Sequence, residues 1–299
     1  MKGRSTISAV INTRNEQERI ADAIRSVLRW VDEVVVVDMQ SEDATVDIAR
    51  ALGALVHTVD NVGYVEPARQ FGIEVASGDW ILILDADEMV PRSLATRLTE
   101  IASRDEVDVV VHSRLNYFMG TPLANTGFGL ATDRQSRFFR KGAVTFSDQI
   151  HHTAVRDGAR LLDLPAVEEL AVVHFPYDDI SHFIAKLDRY TTIEARLAQR
   201  NGAPSRGRAA ALLRAARAFR ARFVHHKGHA DGYRGLCMAW LMATYTIVTW
   251  AKARQLAEVG DREAIRGRYA DVAARVLADY ETAPVQYGRN APVPGAVHE

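Results

Sequence analysis

The chain has 299 residues, 47% of them hydrophobic and 25% charged. That balance excludes disorder, collagen and a polytopic membrane protein, and fits two domains or one large α/β domain with an appendage. A single cysteine, Cys237, excludes an intramolecular disulfide framework and any cysteine-cluster metal site. The formal net charge of −1 gives no field for nucleic acid, but residues 1–100 carry 10 basic and 17 acidic side chains whereas residues 201–299 carry 15 and 8.

Strand and helix patterns alternate over the first 110 residues. Ser5–Ile11 reads as a strand, and Glu16–Leu28 as an amphipathic helix with Ile20, Ala23, Ile24 and Val27 on one face. The run Glu33–Val37 reads as a strand covered on both faces, Ser41 opens a second helix, and Ala54–Val59 is a short strand. Pro67–Ala76 is a third helix, Trp80–Leu84 a fully apolar strand, Pro91–Ala102 a helix with proline in its first turn, and Val107–His112 a further strand. This alternation predicts a mainly parallel sheet with helices on both faces, so the ligand is expected outside the carboxyl ends of the strands. Those ends are Thr13–Glu16, Asp38–Ser41 and Asp85–Glu88.

Residues 113–175 mix Gly, Asn, Thr and Phe, which suggests antiparallel strands and long loops shaping an acceptor pocket. From Ile180 onward the pattern is mostly helical. The expected division is a catalytic domain at 1–178, with halves meeting near 112, and a helical, basic region at 179–299. The apolar run at the N-terminus is too short for a signal segment. The longest uncharged stretch, Gly235–Ala251, spans about 25 Å as a helix, short of a bilayer core. A cytoplasmic location is expected.

The sharpest motif is ILILDADE at residues 81–88. On an extended backbone Asp85 and Asp87 point to one side, where hard carboxylate oxygens suit Mg²⁺ or Mn²⁺. The plain alternative is a capping cluster for the helix that Pro91 begins. Asp38 could accept a hydrogen bond from a nucleobase or cap a helix, and Asn15 or Glu16 could touch a nucleotide or cap the first helix. Three acidic or polar strand ends in one crevice favour a metal carrying a diphosphate. No glycine-rich phosphate cradle is present, which counts against dehydrogenases and P-loop enzymes.

ISAVINTRNE, VVVVDMQSEDAT and LDADE, in this order and spacing, resemble the glycosyltransferase family 2 enzymes with the GT-A fold. WVDEVVVVDMQSEDAT, GDWILILDADE, RFFRKG, VVHFPYDDISHFIAKLDRYT and KGHADGYRG resemble the branch that adds sugars to lipopolysaccharide core and related envelope glycans. The resemblance covers roughly residues 5–250. It implies that Thr13, Asn15, Glu16 and Asp38 line the nucleotide pocket, with Asp38 reading the base, that Arg69 lies near the pyrophosphate, and that Asp85 and Asp87 hold a divalent metal. The implied reaction is inverting transfer from a nucleotide-diphosphate donor, with a lean to UDP-sugars, onto a hydroxyl of a glycan or lipid-linked acceptor.

The branch usually shows a His-Glu pair where this chain has SDQIHHTA, so His152 stands in the glutamate slot, with Asp148 and His151 as further candidates for the base. His174, ending another apolar strand, is either a late metal ligand or a hydrogen-bonded core histidine. No acid occurs between Glu194 and Asp231, while arginines accumulate there. On a helix, Leu212, Ala216, Phe219 and Phe223 share an arc flanked by Arg220 and Arg222, with Arg214 and Arg217 opposite. That pattern fits either an anionic membrane surface, giving peripheral attachment, or a helix packed on the catalytic domain. Two other readings compete: a non-catalytic nucleotide-sugar-binding protein of transferase descent, and a DxD-type phosphatase, disfavoured by Met89 four residues after Asp85 and by the several strands that precede the motif.

Overall fold

The computed structural model of the chain describes residues 4–146, 153–202 and 207–282. The first half alternates as its apolar runs predict: β1 (Ile7–Thr13), α1 (Ile20–Val27), β2 (Glu33–Asp38), α2 (Thr45–Ala51), β3 (Leu55–Thr58), α3 (Glu66–Val75), β4 (Trp80–Asp85), β5 (Glu88–Met89) and α4 (Arg92–Ala102). Then come β6 (Val109–Phe118), β7 (Thr121–Pro122), β8 (Arg134–Arg140), β9 (Val144–Phe146), β10 (Thr153–Val155), β11 (Leu161–Asp163) and β12 (Ala171–Tyr177). Helices α5 (Ile180–Arg200), α6 (Arg208–Arg220), α7 (Gly232–Glu258) and α8 (Arg262–Thr282) follow.

The main sheet runs β3–β2–β1–β4–β8–β6–β12–β5, with β7 and β11 also paired to β6. Strands β1 to β4 are parallel, as continuous apolar runs require when both faces are covered. Side chains alternate strictly across them. Val34 and Val36 face α1, α2 and α4, while Val10, Val35, Val37, Ile81 and Ile83 face α3. The expected α/β sheet with helices on both faces is present, followed by a helical C-terminal region.

Helix α1 starts at Ile20 rather than Glu16, after a turn at residues 17–19, and two other boundaries differ from expectation for physical reasons. Ser41 does not open α2, because its hydroxyl accepts from the Asn15 N–H (2.8 Å); Asp43 instead accepts from the Thr45 N–H (3.0 Å) at the helix start. Strand β6 continues past His112 because its buried polar residues find partners: Ser113 donates to Leu130 O and Asn116 to Phe128 O. Between β4 and β6 lies β8, antiparallel to both, so the sheet is parallel in its first half and mixed in its second.

Helix α3 lies close to the sheet at Gly72, where an added Cβ would come within 2.3 Å of Val10 Cγ1 and 3.0 Å of Val37 Cγ2. Both are branched side chains in a packed core, so neither can yield cheaply. Gly72→Ala should therefore destabilise the fold by about 1–3 kcal/mol in denaturant unfolding, despite alanine's higher helix propensity. Unchanged or raised stability would show that α3 is free to lift from the sheet.

Candidate functional site

A cavity of about 840 Å³ opens at the carboxyl ends of β1 and β4, bounded by α3 on one side and by β12, α5 and α7 on the other. That volume lies within the range of small-molecule and cofactor sites. Alternation along β4 turns Asp85 to the α3 side. There Arg69 donates to both its oxygens (2.7 and 2.9 Å), and Arg137 donates to Oδ2 (3.0 Å). Arg137 also holds Glu88 (2.8 Å), and Arg114 joins Glu88 (3.3 Å) to Asp133 (3.0 Å). Burial pushes the Asp85 carboxyl up, but the Arg137 and Arg69 guanidiniums outweigh it and hold the group far below the usual carboxylate range.

Asp87 is placed differently. The strand ends at Asp85, and a turn at Ala86–Asp87 carries the second carboxylate toward β12 and α5. The two aspartates therefore do not converge as they would on a continuous strand. Lys186 lies 3.4 Å from Asp87 Oδ2, and the Nε2 of His174 lies 3.6 Å from Oδ1. The tautomer of His174 follows from its other neighbour. Asn116 Nδ2 donates to Phe128 O and to Asp133 Oδ2 (both 2.8 Å), so its Oδ1 faces His174 Nδ1 at 2.6 Å. His174 Nδ1 thus carries the hydrogen. Burial holds the ring below its ordinary pKa against the pull of Asp87. In the neutral ring Nε2 presents a lone pair to a carboxylate, two acceptors facing each other across a gap that a cation fits.

Among the described residues, no cluster of three or more His, Cys, Asp or Glu side chains forms a ready metal site. Asp87 and His174 fit a metal as a pair. Asp85 would meet a cation with both oxygens already engaged by guanidiniums.

The other expected residues scatter. Thr13 lines the cavity and its hydroxyl, like both amide atoms of the neighbouring Asn12, is buried without a hydrogen-bond partner. Such atoms are costly unless a ligand satisfies them. Asp38, on the face of Val34 and Val36, accepts the Ser41 N–H with both oxygens (3.2 Å). Its neighbour Met39, not Asp38, lines the cavity. Asn15 has a positive φ of 52° and ties the β1–α1 loop to the β2–α2 loop, its Oδ1 accepting from the Glu42 N–H (2.8 Å). His151, His152 and Asp148 lie outside the described residues, between Phe146 and Val155, which both line the cavity.

Motif reading missed Arg114, Asn116, Arg137 and Lys186. Their partners are remote in sequence, so no local spacing announces them. The wall formed by β12, α5 and α7 was equally hidden. Tyr177, Tyr190, Met238, Met242 and Tyr245 line it, and the Tyr245 hydroxyl donates to Glu194 (2.7 Å).

Three comparisons bear on identity. The family model for glycosyl transferase family 2 matches residues 8–159, half of the chain. The protein belongs to that family and is a family 2 glycosyltransferase. A Rickettsia felis glycosyltransferase is 32% identical over 197 residues, 64% of this chain and 69% of its own. A Rickettsia bellii one is 30% identical over 196 residues, 64% and 66%. The chain thus spans about two thirds of the length of these relatives. The lipopolysaccharide core biosynthesis glycosyltransferase LpsC of Rhizobium meliloti is 28% identical over 203 residues, 63% of this chain and 70% of that one. Among solved structures, glucosyl-3-phosphoglycerate synthase of Mycobacterium tuberculosis with Mn²⁺, UDP and glucosyl-3-phosphoglycerate has 26% identity and a TM-score of 0.33 over 39% of this chain and 46% of that one.

Glu16 lines the cavity, and burial, followed by the nearby Asp87 charge, raises its pKa from 4.5 to about 7. Between those values the folded protein keeps a proton that the unfolded chain has released, so stability falls as pH rises through the window. Glu16→Gln should leave the melting temperature unchanged at pH 4 and raise it at pH 8. An equal shift at both pH values would mean that Glu16 titrates normally.

Proposed function

We propose that this protein transfers a sugar, with inversion, from a nucleotide-diphosphate donor, most simply a UDP-sugar, to a hydroxyl of an envelope glycan or lipid-linked acceptor. The acceptor is proposed to be met at the inner face of the plasma membrane. The observation that carries the metal-assisted form of this reading is the facing pair Asp87 Oδ1 and His174 Nε2, with the ring fixed by Asn116. Asp87 and His174 would hold Mg²⁺ or Mn²⁺, with Asp85 the remaining candidate ligand. When bound, the ion supplies positive charge to the leaving diphosphate.

The chain's own groups supply the rest. Arg69 is held by Asp85 and Glu66 at the α3 side of the cavity, so it can face donor phosphate without moving. Lys186 lies against Asp87 and can neutralise charge there. The unpartnered Asn12 amide and Thr13 hydroxyl offer hydrogen bonds to the nucleoside. The aromatic and methionine wall of α5 and α7 offers flat apolar surface for an acceptor sugar. The proton of the attacking hydroxyl goes to a base in the segment 147–152, with His152 placed ahead of Asp148.

Two measurements test this. Asn116→Ala should weaken Mn²⁺ binding ten- to a hundredfold by calorimetry, roughly the effect of losing a residue that orients a ligand histidine, and leave metal-free UDP binding unchanged. Asp87→Asn should abolish the metal-dependent part of donor binding. If both variants bind Mn²⁺ as the native protein does, the ion lies elsewhere. For the base, His152→Ala should lose turnover by orders of magnitude while donor affinity persists. Native turnover in His152→Ala with loss in Asp148→Asn would move the role to Asp148.

A further inference from the structure

Helix α6 turns Ala211 and Ala215 toward the protein, and these small residues let it lie close against α7. Its larger apolar residues are thereby left outside: Leu212 is 64% exposed and Leu213 50%. Along α7, Tyr233, Leu236 and Trp240 recur at helical spacing on the outer face, and Trp240 is 59% exposed. The two helices join their apolar residues into one surface. The Phe219 ring lies 4.8 Å from Trp240 and 5.3 Å from Phe223.

Charge sorts itself around this surface. Arg208, Arg214, Arg217 and Arg220 are exposed on α6. No acid occurs from 195 to 230, and the next one, Asp231, is occupied by the Asn125 N–H (3.0 Å) and Nδ2 (2.8 Å). Arg222 does not belong to the basic face that the sequence pattern gave it. A wider turn at Ala221–His225 shifts the helical phase, and Arg222 points inward, donating to Thr126 O (2.9 Å) over the Phe128 ring.

We propose that the outer face of α6 and the first half of α7 docks on an anionic phospholipid bilayer, with Leu212, Tyr233, Leu236 and Trp240 entering the headgroup region and Arg208, Arg217 and Arg220 meeting lipid phosphates. Exposed Trp and Tyr beside Leu, ringed by arginines with no neighbouring acid, match an interface that is apolar on one side and anionic on the other. No described helix is long and apolar enough to cross a membrane, so the contact is with its surface. The same α7 that carries Trp240 outward lines the cavity with Met238, Met242 and Tyr245 on its opposite side. Docking would therefore hold the cavity wall about one helix diameter, roughly 10 Å, from the lipid surface, whatever the identity of donor or metal.

The test uses the full chain with vesicles of phosphatidylcholine alone or mixed with phosphatidylglycerol. Flotation should show binding to the mixed vesicles, little to phosphatidylcholine, and release at high salt. Arg208→Gln, Arg217→Gln and Arg220→Gln together should weaken binding roughly a hundredfold. Brominated lipid should quench native tryptophan emission, and Trp240→Phe, which keeps the aromatic packing on Phe219, should lose most of that quenching. Equal binding to both vesicle types, no quenching, or a native dimer that Leu236→Ser disperses would overturn the proposal, the last because a second copy would then cover the patch. Mn²⁺ and UDP binding, measured without vesicles, should stay native in all these variants, so this surface and the catalytic reading fail separately.

Discussion

The fold's carboxyl edge depends on a buried exchange of charge. Asp85, Glu88 and Asp133 face Arg69, Arg114 and Arg137, and Glu88, Asp133, Arg69 and Arg137 are each under a tenth exposed. Glu88 is 1% exposed, so it persists only because Arg137 and Arg114 both reach it and because its Oε2 accepts the Asp85 N–H (2.9 Å). Removing any member would strand an opposite charge in a dry place. The network draws its members from α3, β4, β5, β6 and β8, which makes it the clasp between the parallel and mixed halves of the sheet.

That clasp decides what the DxD-type motif can do. With Asp85 held between two guanidiniums, the chain leaves the strand at Ala86, and Asp87 is delivered to the far side beside Lys186 and His174. The two carboxylates thus take different duties. One keeps Arg69 and Arg137 aimed along the crevice, and the other stands against the Nε2 of a histidine whose Nδ1 is tied to Asn116. Asn116 is in turn tied through Asp133 to Arg114, so the orientation of the histidine is inherited from the same charge network.

Much of this was readable in the sequence, for reasons that differ by residue. EVVVV and WILIL announced strands because burial on both faces leaves no polar alternation to confuse them with helices. The position of the cavity followed from the strand order. What failed was parity. Asp38 was expected to line the nucleotide pocket; it follows Val34 and Val36 to the face packed on α1, α2 and α4, and sequence alone cannot say which face of β2 the cavity adjoins. Asp85 and Asp87 were expected to share a face, but a turn intervenes. β8 entered between β4 and β6 through pairings nearly sixty residues apart with β4 and about twenty to thirty apart with β6, and its Arg137 came with it.

The helices after residue 180 show why a catalytic sheet needs them. The sheet alone supplies polar strand ends and charged pairs to the cavity, and little flat apolar surface. Helix α5 brings Lys186 and Tyr190 to the cavity from one face, and α7 adds Met238, Met242 and Tyr245. Phe118, Leu123, Phe183, Leu187 and Met238 form a separate small core that fixes those helices to the end of β6. This core is distinct from the two that sandwich the sheet, and Tyr177, Met242 and Tyr245 of the cavity wall pack against it.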